Sequence, residues 1–89
     1  MGSVLEFRGI SCSTLGTYFE ELGGKKQMDI FPILYKGSGW SGEILKEEVI
    51  ELTKVISVNK VLIRFSADSD AELNELIKRY RYKTTRIGG

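Results

Sequence analysis

The sequence predicts an α+β fold, a two-layer sandwich with two helices on one face of a mostly antiparallel sheet, in the order β-α-β-β-β-β-α. Leu15, Tyr18, Phe19 and Leu22 follow the spacing i, i+3, i+4, i+7, and Leu73, Leu76, Ile77 and Tyr80 repeat it near the other end. Each helix therefore owns one apolar stripe and needs a sheet to cover. The residues between the helices are rich in β-branched side chains and turn formers, which supplies that sheet.

The first strand is Val4 to Ile10, with Leu5 and Phe7 alternating against Glu6 and Arg8. Ser11-Cys12-Ser13-Thr14 offers hydroxyls to cap the first helix, and Gly23-Gly24 ends it, since glycine enters a left-handed C-cap at no steric cost. Met28 to Tyr35 reads as the second strand, with Pro32 marking an edge or bulge because it lacks a backbone donor. Lys36-Gly37-Ser38-Gly39 turns the chain. Residues 40–66 fit two periods: Leu45, Val49, Leu52 and Ile56 suit a helix, and Ile50, Leu52, Ile56 and Val58 an alternating strand. The β-branched Val49, Ile50, Thr53, Val55, Ile56, Val58, Val61 and Ile63 favour strands. Polar breaks at Lys46-Glu47 and Asn59-Lys60 then predict three of them. Val61 to Ser66 is the last, leading through the capping box Ser69-Asp70-Ala71-Glu72 into the second helix. At an offset of 58, Leu5 and Phe7 match Ile63 and Phe65, so two strand-to-helix units share one design.

The chain of 89 residues makes one domain, residues 1–89, ending in a short basic tail from about residue 82. A chain this short buries only roughly 60–65% of the surface it exposes when unfolded. No apolar run reaches the ~20 residues of a membrane span, and the N-terminus lacks a signal peptide's basic and apolar regions, which predicts a cytoplasmic protein. Histidine is absent and Cys12 is the single cysteine, so Ser-His-Asp and Cys-His catalysis, an internal disulfide and a multi-cysteine metal site are excluded. No cofactor motif is present, and a non-catalytic chain is expected.

With that element order, the chain resembles a small archaeal and bacterial family: the C-terminal domain of proteins related to the small subunit of molybdopterin synthase. The residues that carry the resemblance are Tyr18-Phe19-Glu20-Glu21-Leu22-Gly23-Gly24, Gly39-Trp40-Ser41-Gly42 and Arg79-Tyr80-Arg81-Tyr82. It implies a TATA-binding-protein-like β-α-β4-α fold. The ubiquitin-like sulfur-carrier domain that precedes the module in that family has no counterpart in these residues, so a stand-alone version is expected.

Charge gives the sharpest functional hint. Residues 1–77 carry 8 basic and 12 acidic side chains, whereas residues 78–89 carry five basic and no acidic ones. Lys78, Arg79, Arg81, Lys83 and Arg86, interleaved with Tyr80 and Tyr82, have the composition of a nucleic-acid or other polyanion contact, cations for phosphates and a ring to stack. The same cations would also suit a helix C-terminus, where the macrodipole favours them by about 0.3–1 kcal/mol each. Trp40, between glycines, is either an exposed anchor for a protein partner, as Tyr82 would be, or the plug at one end of a small core.

Other constellations are weaker. Gly88-Gly89 is similar to the tail of sulfur carriers and ubiquitin-like modifiers, which an activating enzyme adenylates, but those proteins open with a β-hairpin and this chain opens strand then helix. Lys36 to Gly42 leads into a strand, unlike a P-loop. Cys12 stands at a helix N-terminus, where the dipole favours a thiolate, yet no partner motif accompanies it, so a small, half-buried structural cysteine is expected. Glu47, Glu48 and Glu51 read as a solvated strand face with no second cluster to complete a metal site. The reading is a binding module for a protein or polyanion, with a diglycine carrier and a small-ligand site between helices and sheet as alternatives.

Overall fold

The computed structural model describes the backbone of residues 2–88 and the side chains of residues 2–85. Seven elements run in the predicted order: β1 (Gly2–Arg8), α1 (Cys12–Glu21), β2 (Lys25–Lys26), β3 (Ile33–Gly37), β4 (Trp40–Glu51), β5 (Ser57–Ala67) and α2 (Asp70–Gly88). The strands form one sheet in the order β1-β5-β4-β3-β2, and every pairing is antiparallel. Among the described residues no helix is long and apolar enough to cross a membrane.

The helix ends are built as their residues dictate. The hydroxyl of Ser11 accepts from the Thr14 amide at 3.3 Å, and that of Ser69 accepts from the Glu72 amide at 3.2 Å. At the other end of α1 the Gly24 amide donates to Phe19 and the Gly23 amide to Glu20, the paired bonds of a Schellman motif. Gly23 sits at φ +95°, a left-handed position where a Cβ would be strained.

The core lies between sheet and helices. Leu15, Tyr18 and Phe19 of α1 and Leu73, Leu76 and Tyr80 of α2 are buried against Phe7, Tyr35, Ile44, Val61, Ile63 and Phe65 of the strands. The stripes are those the spacing predicts, with Leu22 and Ile77 half-buried at their margins. Phe19 is the hub: its ring lies 4.5 Å from Tyr80, 5.3 Å from Tyr35, 5.6 Å from Phe65 and 5.8 Å from Trp40, centroid to centroid. It fits there because Gly42 has no side chain; a Cβ at Gly42 would collide with the phenyl ring. The two strand-to-helix units lie side by side, Leu5 facing Ile63 across the β1–β5 ladder.

The middle of the chain departs from expectation. Residues 40–66 form two long strands, not three. The Lys46-Glu47 and Asn59-Lys60 pairs, read as turns, are mid-strand partners: Glu47 faces Val61 and Val49 faces Asn59. A register shift between Ile44 and Lys46 absorbs one residue, and the actual reversal is Leu52–Ile56, where Leu52 and Thr53 amides both donate to the Ile56 carbonyl. The missing strand is β2, two residues long, pairing with Lys36 and Tyr35. Met28 to Pro32 is a connection that leads into β3. Beyond Val49 and Asn59 the β4–β5 hairpin has no neighbouring strand among the described residues, since β3 pairs only as far as Ile44 and β1 as far as Lys60. Finally, α2 runs on through Gly88, so residues 82–88 continue a helix where a tail was expected.

Candidate functional site

The extension of α2 makes a surface of the basic segment. Lys78, Arg79, Arg81, Tyr82 and Lys83 line one groove of about 540 Å³, completed by Leu22, Glu75 and Thr85. Lys78 and Tyr82 are one helical turn apart, opposite the buried Leu76 and Tyr80, so they head the solvent face. Tyr82 is 68% exposed. The side chain of Arg86 and all of Gly89 lie outside the described residues.

Two of the cations are engaged within the molecule. Lys83 Nζ is 2.7 Å from Glu21 Oε1 and its side chain is only 16% exposed, so it ties α2 to the end of α1. Arg79 Nε donates to Glu75 Oε1 at 3.2 Å along the helix. Both carboxylates are about half exposed, and pairs of that kind are worth at most about 1 kcal/mol. Arg79 is thus held toward the groove by a partner it can exchange, while Lys83 is a strut. That Glu21 and Leu22 of α1 join this surface is not visible in the sequence, because α1 and α2 are far apart along the chain.

A second depression, of about 490 Å³, shares Leu22, Glu75 and Arg79 and reaches Trp40 and Gly39 of the β3–β4 hairpin. Trp40 does not stand free there. Its indole stacks on Phe19 at an interplanar angle of 25° and lies over Gly37 and Gly24, where a Cβ on either would meet it. It plugs one end of the core and supplies one wall of the depression. In the centre of the layer between helices and sheet, the rings of Phe19, Phe65 and Tyr80 pack on one another.

At the opposite end Glu47 has a structural task. Its carboxylate accepts from the Cys12 amide at 3.1 Å and the Asn59 side-chain amide at 2.9 Å, and Asn59 also donates to the Ile10 carbonyl. The hydrogen bond from Asn59, with that of the Cys12 amide, holds the Glu47 carboxyl below its ordinary range. It is the anion that the N-terminus of α1 favours. Cys12 is half-buried beside this carboxylate, as expected of a structural cysteine. Burial, reinforced by the adjacent Glu47, pushes the thiol up against a weaker opposing pull from Lys26. Glu48 pairs with Lys46 at 2.8 Å. Among the described residues no three metal-ligating side chains are gathered.

A family model described as archaeal MoaD-like protein matches residues 3–89. The chain belongs to that family. The match spans both helix stripes, the Gly39 to Gly42 turn and the basic end of α2, the segments that carry the resemblance seen in the sequence. Among curated proteins none matches the chain. Within the archaeal MoaD-like family, this member has β1 leading directly into α1 and an all-antiparallel sheet with both helices packed on one side.

Proposed function

We propose that the protein is a non-catalytic module that binds a polyanion through the solvent face of α2. The observation behind this reading is that Lys78, Arg79, Arg81 and Tyr82 line one groove on a helix that has no acidic residue after Glu75. A fixed helix spaces its cations before any ligand arrives, so little side-chain and backbone order remains to be lost on binding. Phosphates would be met by the guanidinium and ammonium groups, and the exposed Tyr82 ring would stack on a base or sugar. Clustering one sign of charge at one end of a chain whose remainder is acidic orients an approaching anion.

Titration of a labelled duplex oligonucleotide at low salt tests the proposal. The wild-type chain binds, and the Lys78→Ala/Arg81→Ala double variant binds at least about tenfold more weakly. Absence of binding, or equal binding by both, counts against it.

The family match supports a second reading, that the Gly88-Gly89 end is a substrate for an activating enzyme. Incubation with ATP and a cognate activating enzyme, followed by intact mass measurement, would then reveal an adenylate at the terminus, formed with release of pyrophosphate. An unchanged mass with an enzyme that charges a known carrier in the same reaction removes this reading.

A further inference from the structure

The large exposed apolar side chains of the described residues fall mostly into two groups. Leu52, Val55 and Ile56 crown the tip of the β4–β5 hairpin, Val55 being 90% exposed. Met28, Ile30 and Phe31 occupy the connection that enters β3 at Ile33, the partner of Ile44, and so stand at the root of the same hairpin; Ile30 is 69% exposed. Val49, at 73%, lies between them on the hairpin shaft. Tip and root are separated by the free edge Lys46–Glu51, roughly 20 Å of extended chain.

We infer that this surface is an isologous dimer contact in which the hairpin tip of one copy packs on the hairpin root of a second copy of the same chain, and the reverse. A two-fold axis requires that if residue i meets residue j then j meets i, and two apolar groups at opposite ends of one arm satisfy that condition when two arms lie antiparallel. The area suffices. A fully exposed Val, Leu, Ile, Met or Phe side chain offers roughly 60–120 Å². At their observed exposures these seven contribute on the order of 300–500 Å² of apolar surface per protomer, close to the apolar share of a standard interface of about 800 Å² per partner.

Charge sets the manner of contact. Edge-to-edge extension of the sheet, centred on the middle of the free β4 edge, would place Glu48 against Glu48 or Glu47 against Glu51, so main-chain pairing is opposed.

Sedimentation velocity of the full chain over a wide concentration range tests this, using two exposed substitutions. The wild type is expected to dimerise, while Val55→Lys and Ile30→Asp each weaken the dimer more than about tenfold. An equimolar mixture of the two variants should regain dimer. In the heterodimer one contact sets the introduced lysine against the introduced aspartate, and the other, Val55 on Ile30, is unaltered. Circular dichroism confirms that both variants are folded. A wild type that stays monomeric at every concentration, variants that dimerise like the wild type, or a mixture that stays monomeric would each overturn the inference.

Discussion

The hydroxyl of Tyr80 donates to the carbonyl of Leu15 at 2.6 Å, joining α2 to α1 inside the core. The neighbouring hydroxyl of Tyr18 is also buried, but has no hydrogen-bond partner among the described residues. Burial pushes the Tyr80 phenol far above its ordinary range, which favours the neutral form that donates this hydrogen bond.

These two tyrosines should therefore respond oppositely to loss of the hydroxyl. Tyr80→Phe is expected to cost about 0.5–1.5 kcal/mol, and Tyr18→Phe to be neutral or stabilising by up to about 1 kcal/mol, because it removes a polar group buried without a partner. Urea denaturation of the two variants checks the sign of each.

Gly42→Ala should cost about 1–3 kcal/mol or more, since its Cβ would press on the Phe19 ring that four other aromatic side chains hold in place. Thermal unfolding monitored by near-ultraviolet circular dichroism would report both the loss and the shifted ring.

Glu47 links stability to pH. Its carboxyl is held below its ordinary range in the folded state, so its contribution is complete above the unfolded-state value and is lost as pH falls through the folded one. Glu47→Gln keeps an acceptor for Cys12 and Asn59 but removes the charge. It should lower stability at pH 7 by about 0.3–1 kcal/mol. The difference from wild type should vanish once Glu47 is protonated, which denaturant titrations at neutral pH and in acid would reveal.

Cys12 should alkylate more slowly than a free cysteine at about pH 8, because burial and Glu47 raise its pKa and leave less thiolate. Glu47→Gln should speed the reaction. Iodoacetamide kinetics followed by mass spectrometry measure both.

Both helices were legible in the sequence because each shows one apolar stripe, and Leu15, Tyr18, Phe19, Leu73, Leu76 and Tyr80 are buried as their spacing requires. The strands between them were less so, for identifiable reasons. Lys46-Glu47 and Asn59-Lys60 have turn-like polarity, but Glu47 and Asn59 are committed to the N-terminus of α1, a contact that no local pattern announces. The real turn, Leu52–Ile56, is rich in large apolar residues, the opposite of ordinary turn chemistry. Met28 to Phe31 has strand composition but no strand beside it. At the candidate site, the cations were visible as a charge run, and Tyr82 as an exposed ring. That they share a groove with Leu22, and that Lys83 is tied to Glu21, depends on the packing of α1 beside α2.

The salt dependence of polyanion binding tests the central claim most directly. If the four cations Lys78, Arg79, Arg81 and Arg86 engage phosphates of duplex DNA while Lys83 stays paired with Glu21, the logarithm of the binding constant should fall with the logarithm of salt concentration with a slope of about −3.6. Lys78→Ala/Arg79→Ala/Arg81→Ala, which spares the Lys83 strut, should flatten that slope by about 2.7. A chain that does not bind at low salt, or a slope that the triple substitution leaves unchanged, would contradict α2 as the polyanion-binding face.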